Sequence, residues 1–172
     1  IDDQVNSMID VVAVIVIPSV FPLELANQCK SLELVQTISA GTDWIDKKSL
    51  KDLGITVSNN GGGNAVAVAE HAISLMISIY RKLDVQFNSV KNLSWQKQVR
   101  KPLTKFNSNV GTFELAGKTI GIIGLGRIGR NVAKRLAGWD CDIIYNDIND
   151  VDESGLKITK GSKSEILENS DI

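Results

Sequence analysis

Apolar positions along the chain fall into short β-branched runs and longer helical stretches, and this difference sorts the elements before any residue has a role. Val11–Ile17 is an unbroken aliphatic run closed by Pro18, the pattern of a strand buried on both faces. Phe21 to Cys29 carries Pro22 near its start and reads as a short helix. Leu34–Ser39 reads as a second strand. Asp46 suits the N-cap of a helix running to Leu53, with Gly54 placed to stop it. Ile55–Ser58 is a third strand. Strand, helix, strand, helix, strand at this spacing predicts parallel pairing through right-handed crossovers.

The pattern changes at Asn59-Asn60-Gly61-Gly62-Gly63, where three consecutive glycines predict a hinge-like loop. Asn64 is placed to cap a long helix from Ala65 to about Leu83. That helix is apolar nearly all round, with Glu70, His71, Ser74, Ser78 and Arg81 confined to one narrow stripe. It is expected to be largely buried, between two domains or two subunits. Left open on a monomer, it would exceed the few hundred Å² of apolar patch usually tolerated, so oligomers are expected.

Lys118–Ile123 reads as a strand that runs into Gly124-Leu125-Gly126-Arg127-Ile128-Gly129. A helix follows to Ala137, with Gly138 behind it, and Cys141–Asn146 is the next strand, ending at Asp147. Ser162-Lys163-Ser164-Glu165 is a capping box for a short last helix. A further strand is expected to start at Ile172. The chain opens on Ile1 rather than Met, so it is expected to be a piece of a longer protein.

Composition narrows the function classes. The 172 residues are 43% hydrophobic and 23% charged with a net charge of -1, which suits a globular protein and gives no global field for nucleic acid or an anionic membrane. Seven basic residues against the single acid Asp84 lie between Arg81 and Phe113, but their irregular spacing reads as a solvated surface rather than a nucleic-acid patch. The longest apolar run is far short of the roughly 20 residues of a membrane-spanning helix. Cys29 and Cys141 stand apart with no CxxC or Cys/His spacing. They read as reduced thiols of a cytoplasmic protein with no metal site.

The chemistry concentrates at the glycine motif. A GxGxxG alone is weak, but here a strand precedes it, a helix starts inside it, and an acid closes the next strand 18 residues after Gly129. Gly124 permits the tight turn, Gly126 lets the backbone approach a pyrophosphate, and Gly129 lets the helix pack on the strand. The amides around Arg127 and Ile128 would meet the phosphates at a helix N-terminus, and Asp147 would accept from an adenosine ribose. A 2′-phosphate brought beside Asp147 would meet like-charge repulsion. The next residues, Ile148 and Asn149, offer no compensating Arg, so NAD is favoured over NADP.

Four stretches of the chain resemble the D-isomer-specific 2-hydroxyacid dehydrogenases. They are Ser39-Ala40-Gly41-Thr42-Asp43-Trp44-Ile45-Asp46, Gly63 to Ala72 with its Ala-Glu-His-Ala ending, Glu114-Leu115-Ala116-Gly117-Lys118-Thr119, and Gly121 to Gly129. The resemblance implies an α/β fold of two doubly wound parallel-sheet domains, both incomplete in this chain. A flavodoxin-like substrate-binding domain would cover residues 1–63, and a Rossmann NAD-binding domain residues 64–172.

By position, the resemblance also implies that Ala40 and Gly41 offer backbone amides to a substrate carboxylate. Asn64 would lie at the same cleft and Val68 near the nicotinamide. The alternatives for these two are an N-cap and a core position. The implied activity is hydride transfer between NAD and C2 of a small D-2-hydroxy acid, in a homodimer formed through the helix from Ala65. Formate dehydrogenase, erythronate-phosphate dehydrogenase and NAD(H)-sensing corepressors share the likeness.

Two departures bear on activity. The family's catalytic Arg, Glu or Asp, and His are absent, and are expected beyond Ile172. His71, the one histidine, stands in a helix of buried type, where a structural role is the better reading. Ile17-Pro18-Ser19 also stands where relatives handling phosphoglycerate carry an Arg-Ser pair, which counts against a phosphorylated substrate.

Overall fold

The computed structural model describes residues 10–17, 20–92 and 111–172, which divide between two compact units, Ile1–Gly63 and Asn64–Ile172. In the first unit the elements are β1 (Ala13–Val16), α1 (Leu23–Gln28), β2 (Leu34–Thr37), α2 (Lys47–Asp52) and β3 (Thr56–Ser58). The three strands form one parallel sheet in the order β1-β2-β3, with Ala13 opposite Leu34 and Leu34 opposite Thr56. Val35 and Thr37 of the central strand are wholly buried, and Leu32, Ile45, Leu50 and Ile55 close the core around them.

The local signals around α2 operate as expected. Asp46 Oδ1 accepts from Ser49 N–H at 3.0 Å, and Gly54 ends the turn at φ +78°, a conformation costly for any side chain. The first strand differs from its expectation. β1 is four residues long and open on one face, with Ile15 75% exposed. The reason is position: β1 is the edge strand among the described residues, and a strand's alternate residues face opposite ways. Val14 and Val16 join the core while Ala13 and Ile15 face away from it.

The second unit contains α3 (Ala65–Arg81), α4 (Leu83–Lys91), β4 (Thr119–Ile123), α5 (Arg127–Leu136), β5 (Asp142–Asn146), β6 (Thr159–Lys160) and α6 (Lys163–Asn169). β4, β5 and β6 pair in parallel in that order. Ile120, Leu125, Leu136 and Tyr145 are almost fully buried between the sheet and its helices. The predicted capping box is present. Glu165 N–H donates to Ser162 Oγ at 3.1 Å, and Ser162 N–H to Glu165 Oε2 at 2.7 Å.

After α6 the chain returns to β4. Asp171 N–H donates to Thr119 O at 2.8 Å, and Gly121 N–H donates to Ile172 O at 2.7 Å. Asp142 N–H and Gly124 N–H, in contrast, bond across the β4–β5 side, to Lys118 O and Asn146 O. Alternate residues of a strand bond toward opposite edges, so β4 is flanked on both sides. The crossover thus reverses direction at β4, whose carboxyl end carries the glycine motif.

The long helix differs from its expectation at its end. It is expected to be largely buried between two domains or two subunits; within this one chain Ala65, Ala69 and Ile73 are buried, while Val66, Leu75 and Ile79 are exposed. A helix that packs one stripe against α5 can cover only that stripe. Glu70 on its flank pairs with Arg135 of α5 at 2.8 Å. The helix stops at Arg81, because Lys82 takes a left-handed φ of 50° and a separate helix, α4, begins at Leu83. Part of the basic stretch from Arg81 to Phe113 lies outside the described residues, as do Pro18 and Ser19.

Candidate functional site

The turn after β4 is built by its three glycines in different ways. Gly124 has φ +94°, which a side chain would strain. Gly126 is the N-cap of α5 with an ordinary φ of -73°, and a methyl group placed there would meet nothing within 4 Å. The backbone there can thus be approached closely from outside. Gly129 is the opposite case: a Cβ would stand 2.3 Å from Gly124 O and 3.1 Å from Ile122 Cγ2, so α5 lies against the turn only because this side chain is missing.

Electrostatics at the start of α5 suit an anion. Its first intrahelical bond runs from Arg130 N–H to Gly126 O at 3.0 Å, so the helix starts inside the motif. No acid occupies its first turn, and Lys134 and Arg135 stand in the last. The positive end of the helix dipole lies here, where it favours a negative group.

Asp147 stands at the end of β5, half-buried. Its Oδ2 accepts from Leu125 N–H at 2.6 Å and its Oδ1 from Asn149 N–H at 2.9 Å. The backbone N–H groups of Asn149 and Leu125 hold its carboxyl below the usual carboxylate range, so it is ionised at neutral pH. Oδ1 also accepts from Asn149 Nδ2 at 3.4 Å, so it is Oδ2 that retains a lone pair for a further donor. Behind it, buried Tyr145 donates from its hydroxyl to Glu153, which ties the loop after Asp147 back to β5. That pairing pushes the tyrosine pKa up to about 12. Unobstructed backbone at Gly126 and an ionised acceptor at Asp147 fit the pyrophosphate and ribose of a dinucleotide.

In the first unit, Ala40 and Gly41 are exposed in the loop after β2. Asn64 and Val68 open α3, with Asn64 O accepting from Val68 N–H at 2.9 Å. Asn64 stands at the N-cap position but makes no side-chain capping bond, and Val68 is 37% exposed rather than in the core. His71 is exposed too, and its carbonyl accepts from Ser74 Oγ at 2.7 Å, so the buried structural role expected for it is not seen. Sequence reasoning missed Asn59, whose side chain reaches across to Ala40 O at 2.7 Å. Its bond spans two loops distant in sequence, so no local signal marked it. Among the described residues no cluster of His, Cys, Asp or Glu is arranged to hold a metal ion.

Residues 73–172 match the model of the D-isomer specific 2-hydroxyacid dehydrogenase NAD binding domain. The chain belongs to that family. It is 37% identical over 124 residues to a D-3-phosphoglycerate dehydrogenase of Archaeoglobus fulgidus, covering 72% of this chain and 22% of that protein. It is 33% identical over 147 residues to a hydroxypyruvate reductase of Thermotoga maritima, covering 84% of this chain and 45% of the other. An NAD-dependent formate dehydrogenase of Staphylococcus aureus, solved in complex with NAD, superposes with a TM-score of 0.74 at 28% identity. That superposition covers 99% of this chain and 50% of the enzyme. The chain therefore spans at most half the length of these relatives. The family's α/β fold and NAD-binding domain are shared, whereas the three substrates named differ.

Proposed function

We propose that the protein is an NAD-dependent oxidoreductase acting at C2 of a small D-2-hydroxy acid or the matching 2-oxo acid. The observation that carries this reading is the β4–α5–β5 arrangement. Gly126 leaves open space at the start of a helix free of first-turn acids, and the ionised Asp147 stands across the same turn. In this reading Gly124, Gly126 and Gly129 shape the turn, Arg127 and Ile128 supply the helix N-terminus to the pyrophosphate, and Asp147 accepts from the ribose. Unit Asn64–Ile172 is the NAD-binding domain and unit Ile1–Gly63 the substrate-binding domain.

Bound NAD would supply the hydride acceptor or donor. The chain's own residues bind and orient. Ala40 and Gly41 would offer amides to the substrate carboxylate, Asn64 would border the same substrate, and exposed Val68 would give an apolar surface to the nicotinamide. The oxo-polarising Arg and the His with its carboxylate partner, which would move the proton at the substrate oxygen, are proposed to come from the length of the relatives that this chain does not span. Exposed His71 is given no catalytic part.

Two finer readings accompany this one. The exposed apolar side chains of α3 and α4 support a homodimer formed through the helix from Ala65. The two free cysteines, Cys29 buried and Cys141 half-buried, support a cytoplasmic location, and among the described residues no helix is long and apolar enough to cross a membrane.

The test is NADH oxidation by the whole protein against glyoxylate, pyruvate and hydroxypyruvate, with formate plus NAD in a parallel assay. Reduction of a 2-oxo acid supports the proposal. Formate oxidation alone supports the second reading, which the likeness to formate dehydrogenase favours. NADH binding without turnover of any of them leaves a binding module and overturns the proposal. The 172 residues alone are expected not to turn over.

A further inference from the structure

Every backbone carbonyl from Ser39 to Thr42 is already bonded. Ser39 O accepts from Thr37 Oγ1 at 2.7 Å and from Asn60 N–H at 3.1 Å. Ala40 O accepts from Asn59 Nδ2 at 2.7 Å, Gly41 O from Ser39 Oγ at 2.9 Å, and Thr42 O from Ile45 N–H at 3.0 Å. The N–H groups of Ala40 and Gly41, in contrast, donate to no described residue. In a trans peptide the N–H and C=O bonds lie in one plane and point in opposite directions, so fixing the carbonyl fixes where the amide points. The amide of Gly41 belongs to the same peptide plane as Ala40 O. The side chain of Asn59 therefore holds the direction of the Gly41 N–H through the carbonyl of its own peptide.

We infer that Asn59 is a positioning residue that aims the Gly41 amide at the substrate carboxylate. The inference rests on the reading of Ala40 and Gly41 as the carboxylate-facing amides. It goes beyond that reading by naming the side chain that holds one of them in place. Asn59 reaches from the end of β3 to the loop after β2, a span of 19 residues within one unit, so the aim of the amide depends on the packing of neighbouring parallel strands. Asn59 acts on the peptide and not on the substrate. Without its carboxamide donor, the 40–41 peptide is free to rotate and the amide spends part of its time misdirected.

The experiment compares the whole wild-type protein with Asn59→Ala and Asn59→Asp. Three quantities are read: the dissociation constant of oxamate, an unreactive 2-oxo acid analogue, in the presence of NADH; the dissociation constant of NADH alone; and Tm. Both variants are expected to weaken oxamate about tenfold, the usual scale for a lost orienting hydrogen bond, and to raise KM with kcat largely held. NADH binding and Tm are expected to change little.

Oxamate affinity unchanged in Asn59→Ala overturns the inference. So does an effect confined to Asn59→Asp, which would be repulsion by the new charge, and so does a parallel loss of NADH affinity and Tm, which would mark general loosening. Wild-type protein that binds NADH but not oxamate overturns the carboxylate subsite itself, and this inference with it.

Discussion

The backbone N–H of Leu125 lies 2.6 Å from Asp147 Oδ2, so the turn after β4 is held to the carboxylate that closes β5 before any ligand is present. The two residues belong to neighbouring parallel strands whose ends are also joined by Gly124 N–H to Asn146 O at 2.7 Å. The carboxylate proposed to receive the ribose is thus also a fixture of the turn proposed to hold the phosphates. Asp147→Ala in the whole protein is expected to raise the NAD dissociation constant about thirtyfold, more than the loss of ribose contacts in a rigid turn would cause. Isothermal titration against NAD and AMP separates the two parts. A variant that weakens NAD and AMP equally has lost only the ribose contact, and one that weakens NAD further has also lost the turn.

The same carboxylate sets an acid limit. Backbone N–H donors from Asn149 and Leu125 lower its pKa in the folded state, so the folded protein holds the ionised form more tightly than the unfolded chain does. Stability from this group is full above the ordinary carboxyl value of 3.8 and is lost as pH falls through the lower folded one. NAD affinity is accordingly expected to be flat from neutral pH down to the ordinary carboxylate range and to fall only below it. An inflection near neutral pH in a titration of the apo protein with NAD would contradict this assignment.

Gly126 and Gly129 are expected to separate folding from binding. Gly129→Ala drives a methyl group to 2.3 Å from Gly124 O, a backbone atom that cannot turn aside, and is expected to cost about 1–3 kcal/mol of stability. Gly126→Ala meets no protein atom within 4 Å and needs no positive φ, so Tm should hold while NAD affinity falls at least tenfold. Thermal melts with and without NAD check both. A Gly126→Ala protein still stabilised by NAD as strongly as wild type would show that no phosphate approaches there.

At the alkaline end, the Tyr145–Glu153 pair contributes beside the Lys118–Asp171 pair. The carboxylate beside the hydroxyl raises the tyrosine pKa to about 12, from its ordinary 10.0. Between these two values the unfolded chain releases a proton that the folded protein keeps, so stability falls as pH rises across that window. Tyr145→Phe removes this slope and lowers Tm at neutral pH, because Glu153 loses its donor. Melting curves at pH steps through the window, wild type against variant, read the difference directly.

Much of this fold is local in origin, and that part was legible. The Ser162–Glu165 capping box, the Asp46 cap with Gly54 after it, and the strand, glycine motif, helix and acid series are each set by residues a few positions apart. The rest depends on distant partners. An all-apolar helix such as α3 carries no mark of which stripe will meet α5, and here the small residues Ala65 and Ala69 were chosen with Ile73 because they allow close approach. Lys82 breaks the helix without a Gly or Pro to announce it. Asn64 has the right side chain for a cap and does not use it. Asn59 looked like one more polar loop residue, and its role follows only once β2 and β3 lie side by side.

The open side of α3 and α4 leads to the last prediction. Val66, Leu75 and Ile79 on α3, with Leu83, Phe87 and Val90 on α4, are all more than 40% exposed, which water does not favour for so many large apolar side chains on consecutive helices. A second copy of the chain would cover them with an equally apolar face. Leu75→Glu and Ile79→Glu together would place two charges in such an interface and are expected to turn a dimer into monomer in light scattering of the whole protein. Because both side chains are already exposed in the single chain, the double variant should still fold, with circular dichroism unchanged. Wild type that scatters as a monomer removes the dimer. Dimer persisting in the double variant moves the interface to another surface.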